Sequence, residues 1–566
     1  MIVLGINGSS HHNTGAAIVR DGELLAAVEE ERFSRIKIDN AYPKQAIQAV
    51  LELAGVSFDE VDYLALANLA RYEQTPYTDA FYQQIAHLAK HDAALFKYFW
   101  KHQFDRYWRR LRGRNKKIPH AGLAQKPSDT VEHHLAHAAS AYFPSPFVHE
   151  RVAVITLDGA GDFSWAAIFL GEQGKLTPIA HYPYVNSIGL LYTAITIYLG
   201  FKPSRHEGKV LGLAAYGNPE PLLSRLLAHT QPHNWTQLLH AKLARITLNF
   251  HRELGQAGVA ELCKGLSKED IAAGIQAYTE QVICHWIQAQ VRQLQVSQLA
   301  LAGGVFANVK LNQRILALPE VDNIYVHPNM GDGGLATGAA FEVAARHAEL
   351  NPMFNEQVYL GTEINRHNAL QALHARGIAY SEPQDLPAQV AKLLAAGKVV
   401  ARADGKMEYG PRALGNRSVM AAANDKSINQ WLNQQFARTE FMPFAPVILA
   451  SAAQAYFPDW QATHIAAQFM TLTYKASALA QRNIPAAIHI DGTARPQVLQ
   501  REQNAKYFDI IFAYGELTGI PSLINTSFNM HEEPIVRTAD EAISAFMNAG
   551  LDALILGPFL VLRAEK

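Results

Sequence analysis

Val152-Ala153-Val154-Ile155-Thr156-Leu157-Asp158-Gly159-Ala160-Gly161-Asp162 is an apolar run that stops at a carboxylate flanked by glycines. The first six residues read as a buried strand, and the Asp-Gly-x-Gly-Asp that follows reads as a loop. Such a strand end delivers a carboxylate into a cleft. Around this run, strand and helix signals alternate. Strands are predicted at 2–6, 16–20, 24–28, 61–67 and 299–302, and a helix over 43–54 carries its proline in the first turn. This alternation predicts a mixed α/β fold built on a central sheet. A chain of 566 residues exceeds one core. The stretch around Pro352 has no periodicity, so the boundary is placed there, giving domains of 1–350 and 351–566.

Hydrophobic residues make up 49% of the chain and charged residues 18%, with a formal net charge of −1. That balance supplies large cores and no global field toward nucleic acid or membrane. Cys263 and Cys284 are the only cysteines, which excludes a disulfide framework and a cysteine-rich metal site. The start of the chain lacks a signal-peptide pattern, and no apolar run reaches membrane-spanning length. A cytoplasmic protein without a membrane partner is the expectation. One segment, 70–126, is aromatic and basic. It reads as a helical insertion whose aromatics pack on the first domain, the alternative being a nucleic-acid face.

Three histidines precede the opening strand, in Val131-Glu132-His133-His134-Leu135-Ala136-His137. His133 and His137 share a helix face at a spacing of four. With Asp158, and with Asp332 in Gly331-Asp332-Gly333, they form an imidazole–carboxylate set suited to iron, manganese or zinc. Asp162 reads as a supporting group behind it. Three small-residue loops lie far apart: 8–15, 158–162 and 303–308. In order they resemble the phosphate and adenosine elements of the actin-like ATPase fold, in which loop N–H groups bind anions. Gly303, Gly304 and Asn308 are the nucleotide candidates there. Glu207, Gly208 and Lys209 open an Ala-rich helix and add a ribose and phosphate reading.

Together these motifs resemble the NodU/CmcH-type O-carbamoyltransferase family. The resemblance rests on His12, Glu29-Glu30-Glu31-Arg32-Phe33, the 133–137 histidines, Glu207-Gly208-Lys209-Val210, Gly303-Gly304-Val305-Phe306-Ala307-Asn308 and Gly331-Asp332-Gly333. It continues through Gly410-Pro411-Arg412-Ala413-Leu414-Gly415-Asn416-Arg417-Ser418, Asp491-Gly492-Thr493-Ala494-Arg495 and Asn525-Thr526-Ser527-Phe528-Asn529. It implies a first domain of the actin-like (ASKHA) type, similar to the tRNA threonylcarbamoyl-transfer protein, and a YrdC-like second domain. It implies that carbamoyl phosphate is hydrolysed to carbamate and that carbamate and ATP give carbamoyl adenylate. The carbamoyl group then passes to a hydroxyl of a small acceptor. Fe2+ or another divalent metal would be held by residues matching His133, His137, Asp158 and Asp332, with Mg2+ accompanying ATP as a further expectation. A small hydroxylated molecule is the expected partner, rather than nucleic acid, and a homodimer is left open.

The chemistry fits these positions. Arg495 offers a bidentate fork for carbamoyl phosphate, with Asn525 and Ser527 as neutral donors and Arg412, Arg417 and Arg438 as further positive charge. His12 is the expected general base toward the acceptor, with Lys37 near it. Two departures matter. Asn13 follows His12 where many members carry Asp. Phe436 and Met442 stand where members carry Lys and Arg. Each lost charged contact is worth roughly 1.5–3 kcal/mol, so donor binding is expected to weaken unless other arginines compensate.

Overall fold

The computed structural model describes the chain except residues 9–11, 69–76, 91, 112–124, 349–356, 438–440 and 564–566; the side chains of 102, 103 and 105–111 are likewise outside the described set. Arg438 therefore lies outside the described residues.

Five strands form the first sheet: β1 (Ile2–Asn7), β2 (Gly15–Arg20), β3 (Glu23–Glu29), β4 (Tyr63–Ala67) and β5 (Ser128–Val131), in the order β3-β2-β1-β4-β5. Five more form the second: β6 (Val152–Gly161), β7 (Ser164–Glu172), β8 (Lys175–Pro183), β9 (Gln298–Ala302) and β10 (Asn323–Val326), in the order β10-β9-β6-β7-β8. Read from the other edge, the second order repeats the first. The parallel pairings repeat too: β1 with β4 and β4 with β5, then β6 with β9 and β9 with β10. The fold is thus a duplicated topology without a sequence repeat. A helix follows each third parallel strand, His133–Tyr142 after β5 and Leu335–His347 after β10. The two helices cross so closely that a β-carbon on Gly338 would sit 1.7 Å from the Ala136 carbonyl oxygen.

The remaining strands are β11 (Tyr359–Ile364), β12 (Val400–Ala403), β13 (Gly405–Glu408), β14 (Arg417–Ala421), β15 (Ala445–Leu449), β16 (Tyr474–Lys475), β17 (Thr493–Ala494), β18 (Gln497–Leu499), β19 (Ser522–Ser527), β20 (Ala553–Leu556) and β21 (Phe559–Leu562). Seven of them make a mixed sheet, β18-β15-β19-β14-β12-β20-β21. Its core sets Val400, Met420, Val447, Leu523 and Ile555 against Val390 and Leu394 of the helix Leu386–Ala395, and Ile511 and Tyr514 of the helix Ala505–Thr518.

The chain divides into two compact units: Met1–His11, Val19–Leu24 and Phe58–Phe354 in one, and His12–Ile18, Leu25–Ser57 and Asn355–Lys566 in the other. A single cut at 350/351 does not describe this. Segment 25–57 joins the second unit because its arginines are committed there. Arg32 donates to the Gly410 carbonyl, Arg35 donates to the Pro534 and Ile535 carbonyls and pairs with Glu541, and Arg537 lies over the Phe33 ring.

The aromatic insertion is helical where described, over Thr78–Ala89 and Ala93–Leu111. Phe81, Tyr82 and Leu95 are buried as expected, but Phe96, Trp100 and Phe104 are more than half exposed, so the expectation that the aromatics pack inward fails for these three. Among the described residues no helix is long and apolar enough to cross a membrane.

Candidate active site

The first unit gathers its chemistry at the carboxyl ends of its parallel strands, where ligands bind in open α/β sheets. Asn7 ends β1 and Asn68 follows β4. His133 follows β5, Asp158 lies near the end of β6, and Asp332 opens the short 3-10 turn Asp332–Gly334 before the helix Leu335–His347. The first turn of the His133–Tyr142 helix is closed by Glu132, whose carboxylate accepts the Leu135 N–H at 2.7 Å. β6 loses register between Leu157 and Gly161, a bulge that re-aims the strand where Asp158 sits.

The four sequence-predicted ligands come together. One ligand atom from each of His133, His137, Asp158 and Asp332 lies within 4.8 Å of the others. His133 Nε2 is 3.0 Å from Asp158 Oδ2 and 3.9 Å from Asp332 Oδ1, and His137 Nε2 is 3.4 and 3.6 Å from the same atoms. Ligands bonded at about 2.1 Å to one ion stand about 3.0 Å apart at octahedral angles and about 3.4 Å apart at tetrahedral ones. The four histidine–carboxylate separations, 3.0, 3.4, 3.6 and 3.9 Å, are within the roughly 4.2 Å that one such ion can span. His137 supports the fit: it is fully buried, and neither ring nitrogen makes a hydrogen bond. Burial opposes a charge on His133, but its bond to Asp158 and the charges of Asp332, Asp158 and Asp162 outweigh that and lift it to about 9. Burial likewise opposes ionisation of Asp158, yet the two histidines hold it well below the usual carboxylate range. The carboxylates therefore favour a positive charge beside them, on a histidine or on a bound ion.

A chain of amides orients this cluster. Asn7 Nδ2 donates to the Asp332 carbonyl at 2.9 Å, Asn68 Nδ2 donates to Asn7 Oδ1 at 3.1 Å, and Asn68 Oδ1 faces His133 Nδ1 at 2.7 Å. The carbonyl at one end can only accept, so the polarity of the whole chain is fixed. His133 Nδ1 carries hydrogen, which leaves Nε2 to face the carboxylates. Asp162 accepts the His133 backbone N–H at 2.9 Å, the supporting place read from sequence. Sequence reasoning missed Asn7 and Asn68, since single asparagines at strand ends carry no signal. Gly161 is needed for space: its β-carbon would lie 2.0 Å from the His133 ring. His134 turns away to Thr156 at 2.8 Å, and burial with the neighbouring histidines pushes its pKa well down.

Several expected nucleotide residues have other partners. Gly303 N–H donates to Met330 and Gly304 N–H to Asp158 Oδ1, so these amides are committed to the acidic loop rather than to phosphate. Asn308 caps the helix Val309–Leu316 and exchanges hydrogen bonds with Gln276. Glu207 accepts from Ser204 N–H and Thr193 Oγ1 at the start of its helix, and burial raises its pKa. Gly208 has open space about its Cα, and Lys209 is buried.

In the second unit the Gly410–Ser418 loop is wrapped around a carboxylate of the chain itself. Leu414, Asn416 and Arg417 N–H groups all donate to Glu408 Oε1. Arg417 is fully buried, and its guanidinium donates to the carbonyls of Thr362, Asp404, Gly405, Asn416 and Arg537. The reading of Arg417 as phosphate ligand is corrected: those donors are closed inside the fold. Asn525 is corrected likewise, because Nδ2 donates to Ala413 O and Gln497 Oε1. Gln497 Nε2 in turn donates to Leu414 O, which draws together the segments bearing Arg412, Arg495 and Ser527. Arg412, Arg495 and Lys37 are half-buried, Ser527 ends β19, and His12 is exposed. Phe436 is wholly buried at the end of the helix Ser427–Gln435.

Comparison with known proteins gives the family of the chain. The family described as Carbamoyltransferase N-terminus matches residues 2–341, and Carbamoyltransferase C-terminus matches 391–563. The chain belongs to the carbamoyltransferase family and is a transferase. It is 32% identical to nodulation protein NolNO of Sinorhizobium fredii, over 97% of this chain and 79% of that one. It is 33% identical to nodulation protein NolO of Bradyrhizobium diazoefficiens, over 76% of this chain and 78% of that one. A likeness to full-length HypF, in a phosphate- and nucleotide-bound form, has a TM-score of 0.31 at 14% identity, covering 61% of this chain and 55% of that one.

Proposed function

We propose that the protein is an ATP-dependent O-carbamoyltransferase acting on a small hydroxylated acceptor. The observation that carries the reading is the four-ligand cluster in a carbamoyltransferase chain. Carbamoyl phosphate is hydrolysed to carbamate and phosphate. A carbamate oxygen attacks the α-phosphorus of ATP and pyrophosphate leaves. The acceptor hydroxyl then attacks the carbamoyl carbon, and AMP departs.

His133, His137, Asp158 and Asp332 would hold a divalent ion, Fe2+ by family resemblance. Such an ion supplies Lewis-acid polarisation of a carbonyl or phosphoryl oxygen. Asn68 and Asn7 keep His133 in the tautomer that binds it. Arg412 and Arg495 take the donor phosphate, and His12 removes the acceptor proton.

The test is incubation of the protein with Fe2+, ATP and carbamoyl phosphate without acceptor. Pyrophosphate and carbamoyl adenylate are expected. ATP turnover that needs a different donor, or nucleotide binding with no turnover, would sink the reading.

A further inference from the structure

The helix Ala93–Leu111 is anchored through its first turns. Asp92 Oδ1 accepts from Ala94 and Leu95 N–H, and its Oδ2 pairs with Arg245. Leu95 is fully buried, and Tyr98 OH meets Tyr184 OH at 3.2 Å. The opposite side carries Phe96, Trp100 and Phe104, exposed by 53%, 57% and 62%. Spaced by four, they line one stripe. Lys97 and Lys101, each one position on, are also exposed. The helix sequence holds Lys97, Lys101, Arg106, Arg109 and Arg110 against Asp105, a balance of five minus one, or +4. The whole chain has a net charge of −1, so the charge is local. Whole-chain charge, the basis for expecting no membrane partner, hides it.

We infer that this helix docks the protein on an anionic lipid surface. Aromatic rings on a basic helix enter the boundary between headgroups and acyl chains, while lysines keep their charge at the lipid phosphates. Two other occupants fit less well. A second copy would bring two helices of the same +4 charge face to face. Single-stranded nucleic acid stacks on open ring faces. Here the rings stand edge to face, Phe96 with Trp100 at 6.2 Å and 65°, Phe99 with Trp100 at 5.6 Å and 77°.

The experiment is flotation of the full chain with vesicles of phosphatidylcholine alone or with about one-third phosphatidylserine. Binding is expected only to the anionic vesicles and is expected to vanish at about 1 M salt. The triple change Phe96→Ser, Trp100→Ser, Phe104→Ser, and separately Lys97→Glu with Lys101→Glu, should each lower partitioning by at least about ten-fold with unchanged circular dichroism. Absence of binding to anionic vesicles overturns the inference, as does binding that survives the lysine pair. It is overturned equally if the aromatic variant loses a dimer or an oligonucleotide complex while vesicle binding is never seen.

Discussion

His133 has a task for each ring nitrogen: Nδ1 meets Asn68 at 2.7 Å and Nε2 faces the carboxylates. Removing the Asn68 acceptor frees the tautomer and the ring orientation. Asn68→Ala should weaken divalent-metal binding by about 10- to 100-fold, read by competition with a chromophoric chelator. Asn68→Asp keeps the acceptor toward His133 Nδ1 but loses the donor to Asn7 Oδ1, so it should weaken binding less than Ala does. Asn68 has φ of 72°, so Ala also carries backbone strain there. Asn68→Gly removes that strain and should still bind metal weakly; tight binding by the Gly variant would refute the relay. At Gly161 the objection to a side chain is contact. Gly161→Ala presses a methyl against the His133 ring and should cost about 1–3 kcal/mol in urea unfolding, with metal affinity falling as well.

At the scale of elements, the second unit shows why a motif is not a role. The Gly410–Ser418 and Asn525–Asn529 stretches were legible as family markers, and their arginines and asparagines read naturally as anion ligands. What the sequence could not convey is that Glu408 fills the ring of amides, or that the Arg417 guanidinium donates to backbone carbonyls. Those partners lie in and between β11–β14, with Arg537 much further along the chain, and no local pattern encodes their meeting. Arg417→Lys should therefore destabilise by about 3 kcal/mol through buried carbonyls left unpaired. A phosphate ligand would instead give normal stability and a raised KM for carbamoyl phosphate, and that split decides between the two. Phe436 is the converse case. It reads as a missing lysine, yet its side chain is fully buried. Phe436→Lys should lower the unfolding midpoint, because an ammonium enters a fully buried position, and should leave donor affinity unimproved. By contrast the clustering of His133, His137 and Asp158 was legible, because helical spacing and strand ends fix where they point.

At the scale of the molecule, the sheets were legible as alternating strands and helices, but the duplication was not. The two five-stranded sheets share strand order and parallel pairing while their side chains differ, so repeated topology left no repeated text. The division of the chain was hidden for a related reason. Segment 25–57 is continuous with the N-terminal strands in sequence, yet it packs with residues from 355 onward. Arg32 is 5% exposed and held by Glu29, Glu31 and the Gly410 carbonyl, and Arg35 reaches the carbonyls of Pro534 and Ile535. A fragment of residues 351–566 lacks all of these. It leaves the 410 loop and the 534–535 turn without their donors, and uncovers the surface that segment 25–57 buries. Such a fragment should bind a hydrophobic dye and lose its secondary structure over a broad denaturant range, with no single sharp transition. Adding residues 25–57 through a flexible linker should restore a cooperative transition. If 351–566 alone unfolds sharply, with a denaturant dependence matching its size, segment 25–57 is not part of that core.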